Sequence, residues 1–247
     1  TMKIRGVIFD LGFTLMDIRG AWPEITAACA RNLTVFLAQQ NIRFAPEAFV
    51  AAFLRYKSAA LAQSSQTLRQ VTAEDAMRLA FVEMGESNPS QAFLEEALDA
   101  FFAYEDSCWF AYPETIPILT TLTEKGLRAG MFSNTSDNRQ IQRLVTHFGF
   151  DQWLSPAVNS AQTGIRKPDP QAFDPILAAW GMSPEMVVVV GDSLDADILG
   201  AQNAGMHQIW LNTGQRARID GTYDNAAAIV PEHEIHDLQE LSDYLDI

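Results

Sequence analysis

The nonapeptide Val7-Ile8-Phe9-Asp10-Leu11-Gly12-Phe13-Thr14-Leu15 constrains this chain more than any other stretch, because an apolar run ends there abruptly in an aspartate and a glycine-containing turn. Short apolar runs bounded by turn signals mark parallel strands buried on both faces, so the run from Lys3 reads as such a strand. Asp10 then stands at the strand's carboxyl end, which in open α/β sheets faces the ligand crevice. A carboxylate in that place serves as a nucleophile or a metal ligand. It serves equally as a turn-forming cap for whatever follows, and the nonapeptide alone leaves both readings open.

The segments downstream extend the strand into a fold. From about Pro23 to Tyr104 the pattern is helix-periodic, with breaks expected at Asn41, near Ser64 to Ser65, and at Gly85 to Pro89. Pro23 just inside a helix start, Glu24 in its first turn and Asn-Pro-Ser at 88 to 90 are ordinary start signals. This region reads as an inserted bundle of four or so helices with no strand in it. After Pro113 the pattern alternates: helix Glu114 to Lys125, strand Leu127 to Phe132, helix Asn138 to Phe148, a short strand Ala157 to Asn159 and a helix ending at Trp180. Strand Met186 to Val190, a helix ending near Gly205 and strand Gln208 to Leu211 follow, and the tail from Ala227 reads as one more strand and a helix from about Asp237. Such alternation predicts βαβ units, hence a three-layer α/β fold with a parallel sheet covered on both faces.

Composition removes several functional classes. With 247 residues, 48% of them hydrophobic, the chain has enough apolar surface for one large domain or two smaller ones. A formal charge of −14 argues against a nucleic-acid partner, whose phosphates need clustered Lys and Arg. No window has the apolar length of a membrane span, and the first residues lack the zones of a signal peptide, so no membrane partner and a cytoplasmic location are expected. Cys29 and Cys108 read as buried thiols, and the four histidines have no metal-ligand spacing. Trp109, Trp153, Trp180 and Trp210 read as core or interface anchors, and Arg19 as a solvated charge.

Four polar clusters fall at strand ends or loops of this one sheet: Asp10, Ser133, Lys167, and the pair Asp192 and Asp197. Singly, each has an ordinary reading as helix cap, loop charge or turn. Together they supply a carboxylate nucleophile, a hydroxyl donor, an ammonium and two acids suited to a hard cation, which are the parts for moving a phosphoryl group. At this point the chain resembles the haloacid dehalogenase-like hydrolase superfamily, through FDLGFTL, FSN, RKPDP and VVVVGDSLDAD in that order. The resemblance covers essentially the whole chain. It implies a Rossmann-like core domain of residues 1–16 and 111–247 and a helical cap domain of residues 17–110.

It also implies roles. Asp10 would attack phosphorus and form an aspartyl-phosphate. Asp10, the carbonyl of Gly12 and Asp192 would hold Mg²⁺, with Asp197 on a metal-bound water or orienting Lys167. Ser133 and the amide of Asn134 would bind phosphoryl oxygens, and Lys167 would neutralise their charge. The partner would be a small phosphorylated molecule, and the enzyme a monomer or homodimer. One departure stands out: the second aspartate that the family's phosphatases carry two residues after the nucleophile is Gly12 here, and the glycine usual after it is Phe13. Two alternatives therefore remain beside a Mg²⁺-dependent phosphatase. One is a metal-independent 2-haloacid dehalogenase, the other a non-catalytic phosphate-binding member.

Overall fold

In the computed structural model, which describes residues 4–86, 89–214 and 228–245, the first strand is β1, Gly6–Phe9, and every residue in it is buried. Burial on both faces follows from its place at the centre of a six-stranded sheet of order β5-β4-β1-β6-β7-β8, whose pairings are all parallel. The other strands of this sheet are β4 (Arg128–Ser133), β5 (Leu154–Asn159), β6 (Val187–Gly191), β7 (His207–Leu211) and β8 (His233–Ile235). Val7 and Phe9 point with Val188 and Val190 into one apolar layer, where helices α5 (Thr115–Glu124) and α6 (Asn138–His147) supply Leu119, Leu122 and Leu144. Ile8 points with Val187 and Val189 into the other, against Ile176 and Trp180 of α8 (Asp174–Trp180) and Ala201 of α9 (Leu199–Ala204). The period of two along β1 and β6 thus builds the three layers. A short α7 (Ser160–Thr163) follows β5, and α10 (Leu241–Leu245) closes the described chain.

The strand order reverses at β1. From β1 the chain moves outward through β4 to β5 and returns on the other side with β6, so the carboxyl end of β1 lies at the topological switch point where ligands bind.

Four helices come between β1 and α5: α1 (Trp22–Ala38), α2 (Pro46–Thr67), α3 (Ala73–Glu83) and α4 (Gln91–Cys108). They bury an apolar cluster of their own around Leu33, Phe49, Phe53, Phe81 and Phe101. Pro23 and Glu24 occupy the start of α1 as the sequence suggests, and Ser90 caps α4 by accepting from the Phe93 amide. Two features differ from the sequence reading. Helix α2 runs through Ser64 and Ser65 and ends at Leu68, which has positive φ (54°), because the buried Ser64 hydroxyl accepts the Val71 amide at 2.8 Å and serves the following turn. A two-stranded antiparallel ribbon of β2 (Met16–Ile18) and β3 (Trp109–Ala111) joins the helices to the sheet, where no strand was expected. Other element ends shift by one to four residues, the largest being α4, which runs to Cys108 and not to Tyr104. The expected strand start at Lys3, the Asn88 start signal and the tail start at Ala227 lie outside the described residues.

Trp180 locks the sheet to its second helical layer. A Cβ at Gly6 would meet its ring at 2.6 Å and one at Gly130 at 2.7 Å, so two neighbouring strands lack side chains where the indole lies, and its N–H donates to the Ser155 carbonyl at 2.7 Å. Gly130→Ala is expected to lower stability by about 1–3 kcal/mol through overpacking, and Trp180→Ala by about 3–5 kcal/mol through the cavity it leaves. Urea unfolding midpoints measure both, and a Gly130→Ala protein as stable as the parent would mean that the indole is free to move aside.

Candidate active site

Three loops at the carboxyl edge of the sheet converge on one ammonium. Asp10 directly follows β1, Asp192 follows β6, and Asp197 sits one turn later in the π-helical turn Leu194–Ile198 that precedes α9. Their carboxylate oxygens lie within 4.8 Å of one another. Lys167 arrives from the loop between α7 and α8, and its Nζ contacts Asp10 Oδ1 and Asp197 Oδ1, each at 2.6 Å, and donates to the Phe132 carbonyl at 2.7 Å. Only 2% of the Lys167 side chain is exposed, so water contributes almost nothing to its solvation. Burial opposes the charged form, and the two carboxylates outweigh it, so the Lys167 pKa lies above the ordinary lysine value and the group stays an ammonium at neutral pH.

The remaining predicted residues fall on the same cavity, of about 600 Å³, which Asp10, Gly12, Ser133, Asn134, Lys167 and the two further aspartates line. Ser133 ends β4 and is buried. The Asn134 side chain has a task that its motif did not reveal. Its amide donates to the Lys167 carbonyl and its oxygen accepts the Lys167 amide, both at 3.0 Å, so it fixes the backbone that carries the ammonium. Asp197 is engaged on both oxygens, Oδ1 by Lys167 and Oδ2 by the Ser193 amide at 2.9 Å. In charge terms one ammonium serves three carboxylates, and every donor in the group is a hard oxygen. That set fits a divalent cation such as Mg²⁺ and does not suit a soft metal.

Gly12 is occupied from above. A Cβ at this position would stand 3.2 Å from the Trp109 ring, and Trp109 in turn packs on Phe13 (5.6 Å between centroids) and Trp22 (6.3 Å). Trp109 is therefore a wall of the cavity and only partly the core anchor that the sequence suggested. The positive φ in the loop falls on Phe13 (63°), whereas Gly12 lies outside the left-handed region. A side chain at position 12 is thus opposed by the indole and not by the backbone.

The sequence reading assigned no role to Arg166 or Glu105, which also line the cavity. Arg166 was visible inside RKPDP but overshadowed by its neighbour. Glu105 belongs to α4, and its carboxyl accepts from Gln140 Nε2 at 2.8 Å. Burial pushes its pKa up, with a smaller push from Asp106, while Lys57 and Gln140 pull it down. Helical periodicity gave no sign that this position faces a cavity. Arg19 is exposed and lies over the Phe110 ring at 4.5 Å, away from the cavity, as a solvated charge would.

Known proteins give this edge a context. The chain is 33% identical over 147 residues to a glyceraldehyde 3-phosphate phosphatase of Methanopyrus kandleri, covering 58% of this chain and 61% of that one. It is 34% identical over 121 residues to a phosphoserine phosphatase of Thermus thermophilus, covering 49% of this chain and 48% of the other. It thus spans about half to three-fifths of the length of these curated relatives. Among solved structures, a 2-haloacid dehalogenase from Pseudomonas syringae aligns over 98% of both chains with a TM-score of 0.69 and 25% identity. The model of the haloacid dehalogenase-like hydrolase family matches residues 4–205, most of the chain, and with the four motifs meeting at one sheet edge this protein belongs to that family.

Proposed function

We propose that the chain is a Mg²⁺-dependent hydrolase of small phosphate monoesters in which residues 17–110 act as a cap over a core formed by 1–16 and 111–247. The observation that carries this reading is the buried Lys167 ammonium held between Asp10 and Asp197 beside Asp192, because dehalogenation needs no cluster of three carboxylates. In this proposal Asp10 attacks phosphorus and the bond to the leaving oxygen breaks, giving an aspartyl-phosphate that water then hydrolyses. Ser133 and the Asn134 amide receive phosphoryl oxygens, and Lys167 opposes charge on them and on Asp10. Mg²⁺, when bound by Asp10, the Gly12 carbonyl and Asp192, neutralises further phosphoryl charge. Asp197, with both oxygens engaged, orients Lys167. The phosphatase names of the curated relatives support this substrate class. A 2-haloacid dehalogenase is the second reading, favoured by the full-length likeness to the Pseudomonas syringae enzyme and by Gly12.

Asp10→Asn is expected to abolish phosphatase turnover and leave the circular dichroism spectrum unchanged. EDTA is expected to stop the parent enzyme, and Asp192→Ala to weaken Mg²⁺ binding in calorimetry far more than Asp197→Ala. Metal-independent halide release from 2-haloacids would move the assignment to the second reading.

Gly12 generates a separate expectation. A positioned acid contributes about 10²–10⁴-fold, most of it when the leaving oxygen is basic. Without one at position 12, aryl and acyl phosphates are expected to turn over much faster than alkyl phosphates, with a steep dependence of the chemical step on leaving-group pKa. Gly12→Asp is expected to flatten that dependence only when Trp109 is also reduced, as in Gly12→Asp with Trp109→Leu, because the indole fills the space that the new side chain needs. A flat dependence in the parent would identify another proton donor, and Glu105 on the cavity wall is the group to mutate next.

A further inference from the structure

A side pocket of about 100 Å³ adjoins the main cavity, with which it shares Leu61, Asn134, Thr135 and Arg166. Two cations line it, Lys57 of α2 and Arg166 of the sheet-edge loop, and no carboxylate does. Neither of these two enters an ion pair among the described residues, and whereas the other unpaired lysines and arginines described are exposed, Lys57 and Arg166 are half-buried. Glu105 lies within electrostatic range of Lys57 without closing on it.

Both cations are held in place by neutral groups. Arg166 Nη1 donates to Gln70 Oε1 at 2.5 Å, and the same oxygen accepts from Ser160 Oγ at 2.8 Å. Ser160 Oγ in turn accepts the Thr135 amide at 2.8 Å, which ties Arg166 to the loop after Ser133. The Lys57 ammonium stands 5.7 Å and 5.8 Å from the Phe101 and Phe102 ring centres, a contact that steadies a cation without neutralising it. Burial without a charged partner pushes the Arg166 pKa down. Half-buried cations cost free energy until an anion reaches them, and fixing them in advance lowers the entropy lost when it does. Lys57, Gln70 and Thr72 come from the helical insert, whereas Arg166 and residues 134–136 come from the sheet edge, so an anion here contacts both.

We propose that the side pocket receives a second anionic group, carboxylate or phosphate, of the same molecule whose reacting phosphoryl group lies at Asp10. The substrate class is then phosphorylated acids or bisphosphates, and phosphorylated polyols are poor substrates. This assignment rests on the phosphatase reading.

The test compares kcat/KM for 3-phosphoglycerate and glycerol 3-phosphate, which differ by a carboxylate in place of a hydroxymethyl group. Fructose 1,6-bisphosphate and fructose 6-phosphate form the phosphate arm. In at least one arm the doubly anionic ester is expected to win by about ten-fold or more, the scale of a charge-assisted hydrogen bond, and the winning arm names the anion. Lys57→Met and Arg166→Gln are each expected to move that ratio towards one, and Lys57→Arg to keep it. Calorimetry of the same esters on Asp10→Asn with Mg²⁺ reads the preference without turnover. Hydrolysis without a preference in either arm, or a ratio that survives both substitutions, overturns the side-pocket assignment and leaves the phosphatase reading standing. A preference in binding that the Lys57 and Arg166 substitutions abolish, with no ester hydrolysed by the parent, upholds the pocket and overturns that reading.

Discussion

The Lys167 ammonium, buried between Asp10 and Asp197, is the interaction on which the rest of the candidate site depends. An ammonium almost out of contact with water is tolerable only where carboxylates replace its hydration, and those carboxylates are tolerable together only because the ammonium lies among them. Each of the three comes from a different loop of the sheet. Their meeting therefore requires β1, β4 and β6 to be neighbours in the observed parallel register, and it requires Asn134 to clamp the Lys167 backbone from β4. The strand pairing and the site are one constraint viewed at two scales. Removing the lysine would leave a surplus of buried negative charge, which is the condition that a divalent cation relieves.

Above this edge, the Gly12 position and Trp109 are coupled. The ribbon of β2 and β3 leads the chain out to the helices and back, and its second strand begins with the tryptophan whose ring covers Gly12. A carboxylate on residue 12 and an indole over it compete for the same space. The aromatic wall of Phe13, Trp22 and Trp109 makes this side of the cavity apolar, and Lys167 and Arg166 make another part of it cationic.

What the sequence disclosed and what it hid divide along a physical line. Strands ending in Asp10, Ser133 and Asp192 were legible because a buried parallel strand is an uninterrupted apolar run, and the polar residue that ends it marks the crevice edge. The ribbon was not legible, since it pairs Met16 with Ala111 through two three-residue strands too short for any period to register. Ser64 looked like a helix breaker. Its hydroxyl is buried and accepts the amide of Val71, seven residues on, a use of serine that residue-by-residue propensity does not record. Lys57 and Glu105 gave no signal in the sequence, because periodicity assigns a face to a helix but does not reveal what lies opposite it. Arg166 was in plain view, and only its partial burial without a carboxylate partner, a property of three dimensions, set it apart from the other described arginines.

The helical unit is held to the sheet by contacts of a kind that come apart cheaply. Its apolar cluster is separate from the two that sandwich the sheet, so no continuous core joins them. Across the gap run the ion pairs of Arg139 with Glu95 and Asp99 and of Arg143 with Asp99 and Asp106. Most of these side chains are more than a third exposed, so screening by water and salt leaves such pairs about 0–1 kcal/mol each. A few backbone hydrogen bonds reinforce the turn after α2, among them Gln70 N to the Gly164 carbonyl and Arg166 N to the Leu68 carbonyl. Apolar burial holds each layer firmly, and across the junction the apolar contact narrows to the ring cluster of Phe13, Trp22 and Trp109. A ligand that bridged Lys57 and Arg166 in the proposed way would therefore add an interaction comparable to the ion pairs already joining the two parts, so its binding would depend on both of them at once.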